Sequence, residues 1–201
     1  RLFKLRDGEK IVGALSLAPR VIGDIAVPAE SKAKGPSAEE PIPPVHAVAV
    51  TTDGYALRFG LSPLVEPSTR AGRRFAKPAG DARVLGVAIS TGREILIAAT
   101  SSARAMLCKV DEVNFLSGPG RGVILIKLNA DDDKVLGFIA STGDRDLLTV
   151  ETSRGAEQTV STAKYEVTGR GGKGRELLQR GQFTRVVPQP PEAPPVLSTE
   201  G

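Results

Sequence analysis

The sequence repeats itself at a spacing of about 51 residues, and this period constrains the fold more than any other feature. Residues 81–87 (DARVLGV) match residues 132–138 (DDKVLGF) 51 positions later. Residues 185–187 (RVV) stand a further 51 positions after residues 134–136 (KVL). A repeat of this length with about four short strands per unit predicts blades arranged around an axis, as in a propeller.

Short β-branched runs bounded by Gly, Asp, Ser and Thr dominate the chain, and they predict strands. Runs such as VILI lack polar alternation, which is typical of strands buried on both faces. No helical periodicity extends over ten residues, and only residues 175–179 (RELLQ) could form one helical turn. The predicted class is therefore all-β, with strands at residues 83–90, 94–100, 103–109, 122–128, 134–140 and 146–152.

We predict one domain over residues 1–187, made of three full units and part of a fourth. Residues 9–14 (EKIVGA) fit the repeat pattern as that partial unit. Residues 28–44 are rich in Pro, Ala, Glu, Lys and Ser and predict a disordered insertion. Residues 188–201 predict a Pro-rich flexible tail. Because the chain starts at Arg1 with an incomplete unit, we expect it to continue a larger protein.

Positive charge is concentrated in two blocks. The chain has 27 Lys and Arg against 23 Asp and Glu. Residues 70–83 hold five basic residues against one acidic, and residues 164–185 hold six against two. Basic residues gathered in this way favour a polyanionic partner over solvated loops that happen to be basic. Aromatic residues make up only 4% of the chain, with no Trp, which argues against stacking platforms for single-stranded nucleic acid.

A glycine-rich basic turn precedes each repeat match, at residues 70–74, 118–122 and 169–174. Glycine permits unusual backbone dihedrals and close approach, so that backbone N–H groups and basic side chains can meet phosphates together. The alternative, that these are only structural turns between strands, stays open. The candidate DNA-binding residues are Arg70, Arg73, Arg74, Lys77, Arg121, Arg170, Gly171, Gly172, Lys173, Gly174, Arg175 and Arg180.

Other chemistry finds little support. Residues 169–174 fit a dinucleotide fingerprint formally, but no helix of sufficient length follows, and Lys173 precedes glycine, which excludes a P-loop. Residues 131–133 (DDD) predict a solvated turn and not a metal site. We expect His46 to be a surface or half-buried residue and Cys108 to be a small core hydrophobe. No catalytic residue is assigned, and whether the chain belongs to an enzyme stays uncertain from these residues.

The repeat unit resembles the blade of the C-terminal domain of type IIA DNA topoisomerase A subunits, those of DNA gyrase and topoisomerase IV. Residues 170–174 (RGGKG) match the last five positions of the family's Gln-Arg-Arg-Gly-Gly-Lys-Gly box, while Thr168 and Gly169 depart from it. Residues 118–127 (GPGRGVILIK) resemble a degenerate box and its following strand, and residues 70–75 resemble it more weakly.

The resemblance implies a β-pinwheel whose blades exchange a strand and whose basic rim bends or wraps duplex DNA beside a catalytic core. It implies no cofactor in this domain, with ATP and Mg²⁺ bound elsewhere in the holoenzyme. The implied partners are double-stranded DNA, the remainder of the A subunit and the ATPase B subunit, in the bacterial cytoplasm at the nucleoid and without membrane contact. The most complete box lies in the last unit, which favours topoisomerase IV over gyrase. The alternative is a propeller-type scaffold that binds an acidic protein.

Overall fold

The computed structural model describes residues 5, 7–23, 42–68 and 72–189. Within these residues, strands dominate, beside a four-residue helix, Pro19–Ile22 (α1), and short 3-10 turns at Ser62–Leu64 and Val110–Glu112. The strands are β1 (His46–Thr51), β2 (Tyr55–Phe59), β3 (Val84–Ser90), β4 (Ile95–Thr100), β5 (Arg104–Lys109), β6 (Phe115–Leu116), β7 (Val123–Ile124), β8 (Val135–Ser141), β9 (Leu148–Thr152), β10 (Glu157–Val160), β11 (Arg175–Glu176) and β12 (Phe183–Val186). The all-β class is confirmed.

Two predicted segments fall largely outside the description. The proposed insertion at residues 28–44 is described only from residue 42, and the proposed tail at residues 188–201 only to residue 189. No helix in the described ranges has the length and apolar character to span a membrane.

The strands form three sheets, and each sheet is a blade built in the same way. Two consecutive strands form a hairpin, the chain makes a long excursion, and a third strand returns to pair antiparallel with the first. The strand orders are β3-β1-β2 in blade 1, β8-β4-β5 in blade 2 and β12-β9-β10 in blade 3.

The second and third excursions also lend strands to the blade before them. The excursion of the second unit lends β6 and β7 to β2 of blade 1, and that of the third unit lends β11 to β5 of blade 2. Neighbouring blades therefore exchange strands, which is the arrangement of a β-pinwheel. Blade 2 has the predicted four strands, whereas blade 1 has five and blade 3 has three within the described residues.

The pairing registers give the spacing of the units. The third strands begin at equivalent positions, each opposite the threonine that ends the first strand: Val84 with Thr51, Val135 with Thr100, and Phe183 with Thr152. The first spacing is 51 residues and the second is 48. The predicted match of residues 185–187 to 134–136 is therefore shifted by three positions, because the third excursion is shorter than the second.

A glycine makes each strand exchange sterically possible. Gly122 precedes β7 with φ +84°, and a Cβ there would overlap the carbonyl oxygen of Ala56. Gly174 precedes β11 with φ +68°, and a Cβ there would lie 2.5 Å from the carbonyl oxygen of Ala105. Both positions combine a left-handed backbone with contact against the recipient strand, so that only glycine fits without strain.

A second set of glycines lets the third strands of adjacent blades pack together. A Cβ at Gly86 would lie 3.4 Å from the ring of Phe138, and one at Gly137 would lie 2.5 Å from Val186 Cγ2. Gly13, in the partial first unit, stands in the same relation to Val87, at 3.1 Å from Cγ2. The recurring glycine of the repeat motif is therefore a packing contact between blades.

The hairpin strands of blades 1 and 2 are buried on both faces, as the unbroken apolar runs predict. In β4, Leu96 packs into the cluster between blades 1 and 2, while Ile97 packs into the cluster between blades 2 and 3. Both are fully buried, and truncation of such a residue to Ala typically costs about 2–5 kcal/mol. Cys108 also lies in the core, and burial raises the pKa of its thiol to about 12.

Two of the secondary-structure predictions are wrong. Residues 175–179 form no helical turn, because Arg175–Glu176 is the exchange strand β11. Residues 122–128 contain only the two-residue strand β7, since the chain leaves β2 directly after it. The predicted strand ranges also leave out β2, β6, β10 and β12, whose short or mixed runs lack a strong strand signature.

Asp133 is a buried structural carboxylate, which corrects the prediction of a solvated turn at residues 131–133. Its Oδ1 accepts hydrogen bonds from Ser101 Oγ and Ser102 N, and its Oδ2 accepts one from Asn129 N. Burial alone would raise the pKa of Asp133, but these hydrogen bonds hold it below its usual value. Asp133 thus ties the turn before β8 to the hairpin of the same blade.

His46 is also buried, at 1% exposure, and not a surface or half-buried residue. Its Nδ1 lies 3.1 Å from the carbonyl oxygen of Pro43, and its Nε2 lies 3.4 Å from Arg58 Nη1. A neutral ring that donates from Nδ1 and accepts at Nε2 satisfies both contacts. Arg58 in turn donates to the carbonyls of Val113 and Asp111, at 2.6 and 3.1 Å, and so clamps the second excursion onto blade 1.

Replacement of the exchange glycine is expected to destabilise the fold. Gly122→Ala places a Cβ against the Ala56 carbonyl at a left-handed φ, at a cost of about 1–3 kcal/mol or more in the free energy of unfolding. Gly143→Ala is the matched control, because no atom lies within 4 Å of its Cβ position. Urea denaturation measures both variants, and equal stabilities would contradict this account.

The stability of the fold is expected to fall as the pH drops below about 6.5. Burial, reinforced by Arg58, lowers the pKa of His46, so that the unfolded state binds a proton that the folded state rejects. The loss is at most about 1.4 kcal/mol per pH unit. His46 is the chain's single histidine, so urea denaturation between pH 5.5 and 7.5 measures it directly. The slope should flatten in His46→Gln, and a native slope that is already flat would refute the assignment.

Candidate nucleic-acid interface

In the second and third units the glycine-rich basic turns lie where the chain crosses to the preceding blade, and the first turn holds the equivalent place in its own unit. Gly72, Gly122 and Gly174 occupy equivalent positions in the three turns and have φ of +73°, +84° and +68°. In the second and third units the turn leads directly into β7 and β11. Strand exchange therefore places a basic turn at both of the described crossings between blades.

Backbone hydrogen bonds join consecutive turns into a row. Lys77 N donates to the carbonyl of Gly120 at 2.7 Å, which links the first turn to the second. Lys127 follows the second turn as Lys77 follows the first, five residues after the equivalent glycine. Its N donates to the carbonyl of Gly172 at 2.8 Å, which links the second turn to the third. We name residues 72–77, 118–122 and 169–175 the turn row.

Arg170 points into the protein. Its Nε donates to the carbonyl of Glu112 at 2.6 Å, its Nη1 to the carbonyl of Ile124 at 3.3 Å, and its backbone N–H to Glu112 Oε2 at 3.1 Å. The side chain is half-buried. Arg170 therefore fixes the third turn against the second unit, and its guanidinium is already committed to carbonyl groups.

Lys173 and Arg175 present their charges to solvent. Lys173 is exposed and its side chain bonds to no other described residue. Arg175 is exposed, with its guanidinium 5.8 Å above the ring of Tyr165. Arg104, which the sequence analysis did not single out, donates to the carbonyls of Lys173 and Gly174 at 2.8 and 3.2 Å and so holds the backbone beneath these cations.

The glycines of the third turn are mostly structural. Gly171 donates its N–H to the carbonyl of Leu125 at 2.7 Å, and the carbonyl of Gly172 accepts from Lys127. Gly174 allows the close approach to Ala105. Gly172 and Lys173 are exposed, and their N–H groups have no acceptor in the described part of the chain, so a phosphate could meet these two amides.

The other predicted cations differ in their exposure and in whether the protein pairs their charge. Arg121 forms an ion pair with Asp53 at 3.0 Å and stacks 3.8 Å above the ring of Tyr55, which offsets part of its charge. Arg73, Arg74 and Lys77 are exposed. Arg180 is exposed beside blade 3, apart from the linked turns. Arg70 lies outside the described residues.

The geometry agrees with the comparisons to known proteins. The family described as "DNA gyrase C-terminal domain, beta-propeller" matches residues 1–18, 46–90 and 94–142, which is more than half of the chain. The chain belongs to this family. The matched residues include the first two turns and end before the third, although the third carries the most complete box.

Solved structures of gyrase-type C-terminal domains have the same fold. The C-terminal domain of DNA topoisomerase IV aligns with a TM-score of 0.60 at 19% identity, covering 72% of this chain and 46% of that one. The DNA gyrase A C-terminal domain aligns at 0.57 and 18%, covering 71% and 48%. The E. coli ParC C-terminal domain aligns at 0.53 and 17%, covering 70% and 60%.

The aligned part of this gyrase-family chain thus spans about half the length of the first two of these structures. At identities below 20%, the likeness establishes the fold. A comparison with curated protein sequences gives no match.

Replacement of Arg170, which we expect to be structural, should lower the stability of the fold more than replacement of the surface residue Lys173. Arg170→Ala leaves the Glu112 and Ile124 carbonyls without their donor and should lower the free energy of unfolding by about 1–3 kcal/mol. Lys173→Ala removes an exposed cation and should change it by less than about 0.5 kcal/mol. Urea denaturation measures both variants, and an Arg170→Ala protein of unchanged stability would show that this arginine is not a structural clamp.

Proposed function

We propose that this chain is a non-catalytic domain that binds duplex DNA without sequence preference along the turn row and bends it. The observation that carries the proposal is the linkage of three equivalent basic turns through the Lys77–Gly120 and Lys127–Gly172 hydrogen bonds. This linkage sets cations from separate blades side by side. A polyanion that follows the row can therefore contact every turn.

Charge supplies the affinity in this proposal. The exposed cations are Arg73, Arg74, Lys77, Lys173 and Arg175, with Arg121 partly neutralised by Asp53. Contacts between such cations and phosphates release condensed counterions and carry no sequence information. Because the turns belong to successive blades around an axis, a duplex in contact with all of them has to bend, as DNA bends around repeated arginines in other wrapping proteins.

The proposed setting is a bacterial type IIA topoisomerase A subunit, in the cytoplasm at the nucleoid. The domain would present DNA to the catalytic core in the remainder of the A subunit and work with the ATPase B subunit. ATP and Mg²⁺ would act in those other parts, and this domain would need no cofactor.

A role closer to topoisomerase IV than to gyrase is the finer proposal. The third turn holds the RGGKG pattern, whereas the first turn, at residues 70–74, is the weakest match to the box. A chain whose most complete box lies in the last unit is expected to bend DNA without completing a wrap. The prediction for plasmid DNA is a small change in linking number after relaxation in the presence of the protein.

The proposal is tested by binding to random-sequence duplexes of about 20 and 150 base pairs at 50 and 200 mM salt. Binding should strengthen with duplex length and weaken steeply with salt, by about 10³–10⁵-fold if six to ten phosphates are contacted. The variant Lys173→Ala/Arg175→Ala should reduce the slope of log K against log salt by about 0.9 for each phosphate that the protein no longer neutralises.

Lys134→Ala/Arg145→Ala is the matched control, since it removes two exposed charges outside the turn row and should leave the slope nearly unchanged. Equal effects of the two double variants would show that net charge alone binds DNA. Weak duplex binding at low salt would reject the proposal and favour a scaffold for an acidic protein.

A further inference from the structure

Within the described residues, blade 3 has no counterpart of the strand that blades 1 and 2 receive from the following unit. Strand β10 is the equivalent of β2 and β5, yet among the described residues it pairs only with β9. In blade 2 the carbonyl of Leu107 accepts the N–H of Thr168 at 2.9 Å from the next unit. Thr159 occupies the same position in blade 3, and no described residue of another unit bonds to its backbone. In the part of the chain that the structure describes, β10 therefore presents an open edge.

The hairpin turn beside this edge keeps the geometry that receives a strand elsewhere. Gly54, Ala103 and Gly155 are equivalent turn residues, with φ of +82°, +55° and +80°. The carbonyls of Gly54 and Ala103 accept the N–H of Leu125 and Leu177, which follow the two exchange strands, at 2.8 and 2.9 Å. The carbonyl of Gly155 has no such donor in the described part of the chain. The Gly155 carbonyl thus lies in the same kind of turn as its two equivalents, and no described residue donates to it as Leu125 and Leu177 donate to them.

A groove of about 380 Å³ lies along this open edge. Its walls include residues 152–159 of the hairpin and residues 178–181 of the third excursion. Arg154, Lys164 and Arg180 line it against one acidic side chain, Glu157. The groove is therefore positively charged, and it combines unpaired strand backbone with cations.

We propose that the open edge of β10, in the basic groove of blade 3, receives an extended acidic segment of another polypeptide as an added antiparallel strand. The occupied blades give its register. Val123 and Ile124 lie opposite Ala56 and Tyr55, and the equivalent positions in blade 3 are Glu157 and Ala156. The segment has the pattern Gly-x-x-Leu, where the glycine approaches the Glu157 carbonyl and the leucine N–H bonds to the Gly155 carbonyl.

A polypeptide fits this edge better than DNA does. Strand addition uses backbone N–H and C=O groups at regular spacing, which a phosphodiester chain does not provide. The chain's own residues 72–75 (GRRF) differ from this pattern only in having Phe75 where it has leucine, but two arginines would meet the basic groove. Charge complementarity therefore selects an acidic segment and disfavours a second copy through residues 72–75. This inference holds whether or not the turn row binds DNA.

The probe is a labelled peptide that copies residues 171–178 (GGKGRELL) with Lys173→Glu and Arg175→Glu. Fluorescence anisotropy with the full chain measures its affinity, and amide hydrogen exchange measures protection at Glu157, the equivalent of Ala105, which lies opposite Arg175 in blade 2. We expect binding with protection of that amide. Gly174→Ala in the peptide should weaken binding at least tenfold, because its Cβ would meet the Glu157 carbonyl as it would meet Ala105 in blade 2.

The protein variant Arg154→Glu/Lys164→Glu should weaken binding of the acidic peptide and strengthen binding of the unmodified basic peptide. Both side chains are exposed, and Lys134→Glu/Arg145→Glu is the matched control. If Gly174→Ala in the peptide leaves its affinity for the protein unchanged, the strand-addition proposal is wrong.

Displacement of the peptide by a 20-base-pair duplex, without protection of Glu157, would assign the groove to nucleic acid instead. Binding to a chain that ends at Gln189 but not to the full chain would show that the chain's own last residues fill the edge. Either result would refute the proposal.

Discussion

The exchange of a strand between neighbouring units is the constraint on which the rest of the structure depends. Blades 1 and 2 each contain strand pairs that their own unit does not supply. The crossing chain must run against the recipient strand, and Gly122 and Gly174 make this possible because a Cβ would meet the carbonyls of Ala56 and Ala105. Packing between blades then follows, since the crossing fixes which faces of β4 meet which cluster.

The same constraint explains why the candidate interface is rich in glycine. A turn that crosses between blades needs glycine for its backbone, so the glycines of the third turn serve the fold first. The cations between them divide into two kinds. Arg170 donates to the carbonyls of Glu112 and Ile124 and holds the turn in place, whereas the Lys173 side chain bonds to no described residue. The turn thus uses one basic residue for its own geometry and presents another to solvent.

The sequence predicted what depends on local pattern and missed what depends on distant contacts. The repeat, the doubly buried β4 and the core position of Cys108 follow from apolar runs and turn residues near them in sequence. The register of β12 does not, because residues 185–187 resemble the earlier motif although Phe183 takes the equivalent position. The burial of His46 and the inward direction of Arg170 depend on carbonyls of residues far along the chain or in other elements, which no spacing rule reveals.

Blade 3 differs from the other blades at both of its edges. On the side of β12, the position equivalent to Gly86 and Gly137 is Arg185, which forms an ion pair with Glu151. Gly137 is needed because Val186 of the next third strand packs against it. A long charged side chain at this position is incompatible with such a contact and needs water around it. On the other side, no described strand other than β9 pairs with β10, so its outer backbone edge is open. The two sides of blade 3 therefore favour different neighbours. Arg185 on the β12 side favours contact with solvent, whereas the backbone of β10 favours an added strand.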